Sequence, residues 1–260
     1  MDVPILKSEK EIEKMAVSGA KVASLLEYLS TLVCPGITPL ELDEAAALKI
    51  KEMGAVSSFY QYVVERKTYP RHICVSVDNQ IIHGIPNKTP LKEGQIVSLD
   101  CGVLFDGWHG DSAITLPVGK IPTNKRKLLD VTYQALRAGI EAIKPGGHLS
   151  DIPKAIEKYV ASQGSYGIVK DFGGHGIGRS LHEAPHIPNC GTPQRNYKLT
   201  PGLVIALEPM INLGLDKYKE EPDGWTISTA DGKISAHFEH TIAITSAGPR
   251  VLTARKDEIF

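Results

Sequence analysis

The chain has 260 residues, with 29 Lys and Arg against 30 Asp and Glu and a net charge of −1. That length suffices for one sizeable α/β or α+β core, and the charge balance argues against a dedicated nucleic-acid or membrane surface. The four cysteines, Cys34, Cys74, Cys101 and Cys190, are scattered without C-x-x-C spacing, which suits reduced thiols rather than a disulfide frame or zinc knuckle. The first eight residues show no signal-peptide plan, and no apolar run approaches the ~20 residues of a membrane span. A soluble, cytoplasmic protein is expected.

Ser8 and Glu11 have capping-box spacing. Ile12, Met15, Gly19, Val22, Leu26 and Leu29 follow at helical spacing, and Cys34-Pro35-Gly36 ends that helix. Thr38 as N-cap and Pro39 at the first helical position open a second helix, which runs to Met53 and stops at Gly54. Residues 55–90 read as strands and loops. Gln95 to Leu99 then leads into two strand-like runs flanking Asp106-Gly107, a strong hairpin signal. A two-residue turn there sets Phe105 opposite Trp108 and Gly102 opposite Asp111. Asp100 then shares a face with Asp111 as its diagonal neighbour, roughly 7–8 Å between Cα atoms. Carboxylates that close raise one pKa sharply unless a cation sits between them, although a solvated hairpin face fits these two acids alone equally well.

The second half repeats the plan. Thr123 opens a helix to Ile143, stopped by Lys144-Pro145-Gly146, and Ser150 caps another that ends at Gly164. Pro35-Gly36, Leu42, Ala45 and Gly54 match Pro145-Gly146, Ile152, Ala155 and Gly164 at identical offsets. Leu91-x-x-Gly94-x-Ile96-Val97-Ser98-Leu99-Asp100 likewise matches Leu199-x-x-Gly202-x-Val204-Ile205-Ala206-Leu207-Glu208. Two such matches in the same order argue for an internal duplication within one domain, residues 1–260, with halves of about 8–118 and 119–252. Asp100 and Glu208 then occupy equivalent places, each closing an apolar strand, where a carboxylate is costly unless paired or bound to metal.

Further candidates follow. His175 sits in Gly173-Gly174-His175-Gly176-Ile177-Gly178, whose glycines let a backbone approach closely and forbid a stable helix. Ala236 to Ile244 alternates as one strand, setting Glu239 with Thr241 and Ala243 and turning His240 the other way. Asp100, Asp111, His175, Glu208 and Glu239 form a hard, oxygen-rich set that suits Mn(II), Fe(II), Co(II) or Zn(II). Four negative charges could balance two divalent cations. Singly, His175 reads as a turn residue and Glu208 as a helix cap.

The chain closely resembles the type I methionine aminopeptidases of the pita-bread (creatinase/aminopeptidase) fold. The motifs that carry the resemblance are His83-Gly84-Ile85-Pro86, Asp100, Asp106-Gly107-Trp108-His109-Gly110-Asp111, Gly174-His175-Gly176-Ile177-Gly178, His182-Glu183, Glu208-Pro209-Met210, Asp223-Gly224-Trp225 and Glu239-His240-Thr241. It implies an α+β fold of two similar halves about a pseudo-twofold axis, an antiparallel sheet covered by helices. It further implies two divalent ions (Co, Mn, Fe or Zn), with Asp111 and Glu239 bridging them, His175 and Glu208 completing one and Asp100 holding the other. In the family a hydroxide bridging the metals attacks the carbonyl, Glu208 shuttles its proton, His182 polarises the carbonyl and His83 attends the leaving amide nitrogen. The substrate's free amino group binds the metal held by Asp100.

By the same resemblance Tyr69, Cys74 and Trp225 line the methionine pocket. Arg66 stands where a tyrosine is expected and Leu181 where a phenylalanine is expected, both bordering the substrate groove. The implied activity is removal of the initiator methionine from peptides and nascent chains with a small second residue, by a monomer. An X-Pro peptidase of the same fold is the rival enzyme; it usually carries an additional N-terminal domain, for which there is no room here. A non-catalytic binding relative would be expected to have lost at least one ligand. His72, His109, His148, His186 and His237 match no chemical role. Lys125-Arg126-Lys127 reads as a solvated face that leaves room for a transient ribosome contact, and neither nucleic-acid specificity nor a membrane is expected.

Overall fold

Residues 3–260 are described by the computed structural model of the chain. Local chemistry sets its first helices. α1 (Glu9–Leu32) starts on a complete capping box: the Ser8 hydroxyl accepts from the Glu11 N–H, and the Glu11 carboxylate accepts from the Ser8 N–H. α2 (Pro39–Glu52) starts the same way on Thr38 and Glu41, and the chain leaves it through Gly54 at φ 65°. Five short strands follow: β1 (Val56–Ser57), β2 (Val63–Val64), β3 (Lys67–Thr68), β4 (Cys74–Val77) and β5 (Gln80–Ile82). β6 (Ile96–Phe105) and β7 (Trp108–Pro117) then form a long hairpin. Asp106 (φ 48°) and Gly107 (φ 74°) both take the left-handed conformation that a two-residue type I′ turn requires. The register is the expected one, with Phe105 opposite Trp108, Gly102 opposite Asp111 and Asp100 opposite Ala113.

The remaining elements are α3 (Thr123–Glu141), α4 (Asp151–Gln163), β8 (Gly167–Ile168), β9 (Gly173–Gly176), β10 (Glu183–Pro188), β11 (Val204–Leu207), β12 (Met210–Asn212), β13 (Tyr218–Glu220), β14 (Ile227–Thr229), β15 (Ser235–His237), β16 (His240–Thr245) and β17 (Gly248–Val251). β6 pairs with β7 and also with β1 and β4; a second sheet runs β10-β9-β11-β16-β17. Smaller sheets join β15-β12-β8 and β13-β14-β5, and β2 pairs with β3 alone. Val22, Leu26 and Leu29 of α1 and Leu42 and Ile50 of α2 pack on Val75, Val97, Leu99 and Val103 of the first sheet. Leu128, Leu136 and Ile140 of α3 and Ile152 and Ile156 of α4 pack on Ile205, Leu207, Ile242 and Ile244 of the second. The result is antiparallel sheet covered by helices. No helix among the described residues is long and apolar enough to cross a membrane.

Three expectations are corrected. Ser150 precedes α4 but makes no side-chain cap; Asp151 instead accepts from the His148 N–H at 2.8 Å, closing the turn one step earlier. His175, which taken singly reads as a turn residue, lies instead on the strand β9, flanked on both sides by strands. Residues 236–244 do not form one strand. β15 pairs with β12 and β16 with β11, with Leu207 opposite His240 and Met210 opposite His237. Both segments therefore change sheet at the same level, Glu208-Pro209 on one side and Phe238-Glu239 on the other, and proline's missing N–H is one reason the ladder breaks there.

At that break the hairpin meets the C-terminal strands in a seam of buried polar groups. The Thr241 hydroxyl accepts from the Asp111 N–H at 3.0 Å and donates to the Asp111 carbonyl at 2.8 Å. Ser112 Oγ donates to the Glu239 carbonyl at 2.5 Å, and Ala113 and Glu239 bridge through their backbones. Thr115 Oγ1 donates to the His237 carbonyl at 2.7 Å and accepts from its N–H at 2.9 Å. The seam fixes Asp111 and Glu239 side by side.

Candidate metal centre and substrate pocket

Asp111, His175 and Glu239 each offer a ligand atom, all within 4.8 Å of one another, and all three residues are buried. Different devices hold them. Asp111 has the I′ hairpin and the Thr241 clamp, and Glu239 sits at the change of sheet. His175 lies on β9, where a methyl group at Gly174 or Gly176 would strike the carbonyl oxygens of Ala206 or Ala184. Only glycine lets β9 lie this close to its neighbours. Glu208 joins the set through the imidazoles: its carboxylate lies 3.8 Å from His175 Nε2 and 3.6 Å from His237 Nε2. Asp100 reaches it from the same face of the hairpin as Asp111.

The carboxyls of Asp100, Asp111, Glu208 and Glu239 are all pushed well above the usual range, first by burial and then by a neighbouring acid. Burial likewise pushes the imidazoles of His175 and His237 down to about 3 and that of His83 down to about 4. Oδ1 of Asp100, Oδ1 of Asp111 and Nε2 of His237 are buried without a hydrogen-bond partner. Clustered acids with orphaned acceptors and unprotonated imidazoles are what a divalent cation relieves, and the donors are oxygen and imidazole nitrogen, as such ions prefer. The residues fit a metal centre.

One pocket opens onto this cluster, and it is lined by Asp100, Asp111, His175, Glu208 and Glu239 together with His83, His182, Tyr69, Cys74 and Trp225. Every candidate ligand, catalytic residue and methionine-pocket residue named from the sequence thus borders the same cavity. The Tyr69 hydroxyl donates to the Gly84 carbonyl at 3.0 Å, and its ring meets Trp225 edge to face at 5.2 Å. Asp223 holds Trp225 in place by accepting from the backbone N–H of Trp225 at 2.9 Å and of Thr226 at 2.8 Å. His83 adopts φ 58°, a strained conformation for a residue with a side chain. His182 stands at the mouth, with its ring 4.3 Å from that of His175.

Leu181 lines the pocket as expected. Arg66 is not among the lining residues: it is exposed, at φ 71°, in the turn between β2 and β3. Tyr62, before that ribbon, lines the pocket with Phe59 and Val64. These three went unassigned in the sequence, as did His237. The signal for His237 was its place two residues before Glu239, on the same face of an alternating run.

The pattern of metallopeptidase family M24 matches residues 13–246. The chain is 45% identical over 252 residues to a methionine aminopeptidase of Clostridium perfringens, covering 97% of this chain and 99% of that one. It superposes on the crystal structure of methionine aminopeptidase from Rickettsia prowazekii with a TM-score of 0.92 at 37% identity, covering 97% of this chain and 100% of that one. An Xaa-Pro dipeptidase from Bacillus anthracis shares the fold, with a TM-score of 0.77 at 21% identity, covering 99% of this chain and 64% of that one.

Proposed function

The chain belongs to metallopeptidase family M24, and on that membership we propose that it releases the initiator methionine from peptides and nascent chains whose second residue is small. The observation that carries the proposal is a single pocket in which a buried acid–imidazole cluster adjoins the wall of Tyr69, Cys74 and Trp225. Asp100, Asp111, His175, Glu208 and Glu239 would hold two divalent ions, drawn from Co, Mn, Fe and Zn. When bound, such ions make water a stronger acid at neutral pH and polarise a carbonyl oxygen.

The chain's own groups do the rest. Glu208, between two imidazoles that burial keeps unprotonated, takes the proton of the attacking water and returns it to the leaving amine. His182, at the mouth, donates a hydrogen bond to the scissile carbonyl as its oxygen gains charge. His83 positions the amide nitrogen that leaves. Tyr69, Cys74 and Trp225 take the methionine side chain, and its burial there orients the scissile bond. We further propose a cytoplasmic monomer of one duplicated domain, which acts on nascent chains with at most a transient ribosome contact.

The test is chemical. Protein stripped with a chelator should be inactive on Met-Ala-Ser and recover with Co(II), Mn(II) or Fe(II), and rates should fall as the second residue is enlarged. Full activity without metal, or preferential cleavage of an X-Pro dipeptide, would overturn the proposal.

A further inference from the structure

Tyr62 lines the pocket but belongs neither to the acid–imidazole cluster nor to the wall of Tyr69, Cys74 and Trp225. Its backbone is pinned where the chain enters the β2–β3 ribbon: its N–H donates to the Phe59 carbonyl at 2.9 Å, and its carbonyl accepts from the Tyr69 N–H at 2.8 Å. Its ring lines the pocket and meets the edge of His182 at a centroid distance of 5.3 Å. The phenol oxygen lies 2.6 Å from Nδ1 of His182. The His182 ring also meets that of His175, and the next residue, Glu183, is tied to Lys7 at 2.6 Å. The imidazole is held between the rings of His175 and Tyr62, and the Tyr62 phenol is its hydrogen-bond partner at Nδ1.

The direction of that bond follows from its length and partners. At 2.6 Å it is shorter than the ~2.7–3.2 Å usual for N–H donors to oxygen and falls within the ~2.5–3.0 Å of hydroxyl donors. A phenol O–H is also a better donor than a neutral imidazole N–H, and the bare imidazole nitrogen is the better acceptor. With the Tyr62 hydroxyl as donor, Nδ1 accepts and the ring's one hydrogen resides on Nε2.

We propose that Tyr62 is a positioning residue that fixes His182 as its Nε2–H tautomer, so that this N–H rather than a lone pair meets the scissile carbonyl. The proposal rests on the methionine-releasing role given to His182 above. Without the phenol, the Nδ1–H tautomer competes, and in that form Nε2 presents a lone pair where negative charge develops. A tautomer held by a partner on the far nitrogen is the same device by which a carboxylate orients a catalytic histidine in hydrolytic triads.

The experiment combines a double-mutant cycle with nitrogen NMR. Tyr62→Phe keeps the ring and its packing and removes only the hydroxyl. It should lower kcat on Met-Ala-Ser by about 10-fold or more, with KM within about 3-fold and metal content unchanged, since losing an oriented donor acts on the transition state. In a His182→Ala background the same change should alter kcat by less than about 2-fold, because its partner is gone. In metal-free protein carrying 15N-histidine near pH 8, the resonance lost in His182→Ala should show the Nε2–H pattern, and Tyr62→Phe should shift it toward a tautomer mixture. An Nδ1–H signature in the unaltered protein, or an undiminished Tyr62→Phe effect without His182, would overturn the proposal. A KM effect alone would reduce Tyr62 to part of the pocket wall. If the unaltered protein releases no methionine, the functional reading fails, while the NMR result still decides the tautomer.

Discussion

At the scale of single residues, the site depends on groups that touch no substrate. Thr241 satisfies both backbone groups of Asp111 with one hydroxyl. Thr241→Val keeps the shape and strands a buried N–H and a buried carbonyl, so it should cost about 1–3 kcal/mol of stability and weaken metal binding by about 10-fold or more. Denaturant melts and a metal titration check this, and unchanged affinity would mean that Asp111 needs no clamp. Asp100→Asn makes the opposite demand on the fold. Asp100 carries a buried oxygen with no partner, beside other acids. Replacing it by a neutral amide should raise the melting temperature of the metal-free protein while lowering turnover by about 100-fold or more, because the cost of burying an acid among acids, as a charge or as a proton taken up, is removed together with a proposed ligand. A variant that loses stability along with activity would show that Asp100 is structural.

At the scale of elements, the β6–β7 hairpin decides which acids meet. Side chains alternate along a strand, so one residue inserted between Asp106 and Gly107 turns Asp100 or Asp111 away from the cluster. Metal affinity should fall before thermal stability does, and unchanged affinity would contradict the role given to the turn. Gly174→Ala should do similar harm from the other side, by forcing β9 off the Ala206 carbonyl and carrying His175 with it. The hairpin, with both its register and its turn, was legible in the sequence because two adjacent residues encode it. The capping box of α1 and the N-cap of α2 at Thr38 were legible because residues within one helical turn encode them; that Glu41 closes a second box on Thr38 emerged only in the structure. The break between β15 and β16 was not, because it depends on what lies across the sheet: Leu207 opposite His240 and Met210 opposite His237. The strand identity of β9 was hidden likewise, since glycine favours strands only where neighbours press close. Tyr62 escaped because its partner, His182, lies 120 residues away in the chain. Arg66 falls outside the pocket lining because it sits in the turn of the β2–β3 ribbon.

At the scale of the molecule, burying four acids at one seam sets how the fold responds to pH and metal. Their folded pKa values lie above the unfolded ones, near 4. Between those limits the folded state holds more protons than the unfolded one, so metal-free stability declines as pH rises from about 4. Bound metal removes that burden and adds about 2.7 kcal/mol at a free concentration a hundred times its Kd. The gap in melting temperature between loaded and stripped protein should therefore widen with pH, and a constant gap across a pH series would count against the acids as ligands. The seam is proposed as the metal-dependent centre for releasing N-terminal methionine. Its most direct measurement is the rate of methionine release from Met-Ala-Ser as chelator-stripped protein is titrated with Co(II) or Mn(II). No release is expected without metal, a rise to saturation with added metal, and no rise in Asp100→Asn; metal-independent release, or saturation undisturbed in that variant, would show that the seam is not that centre.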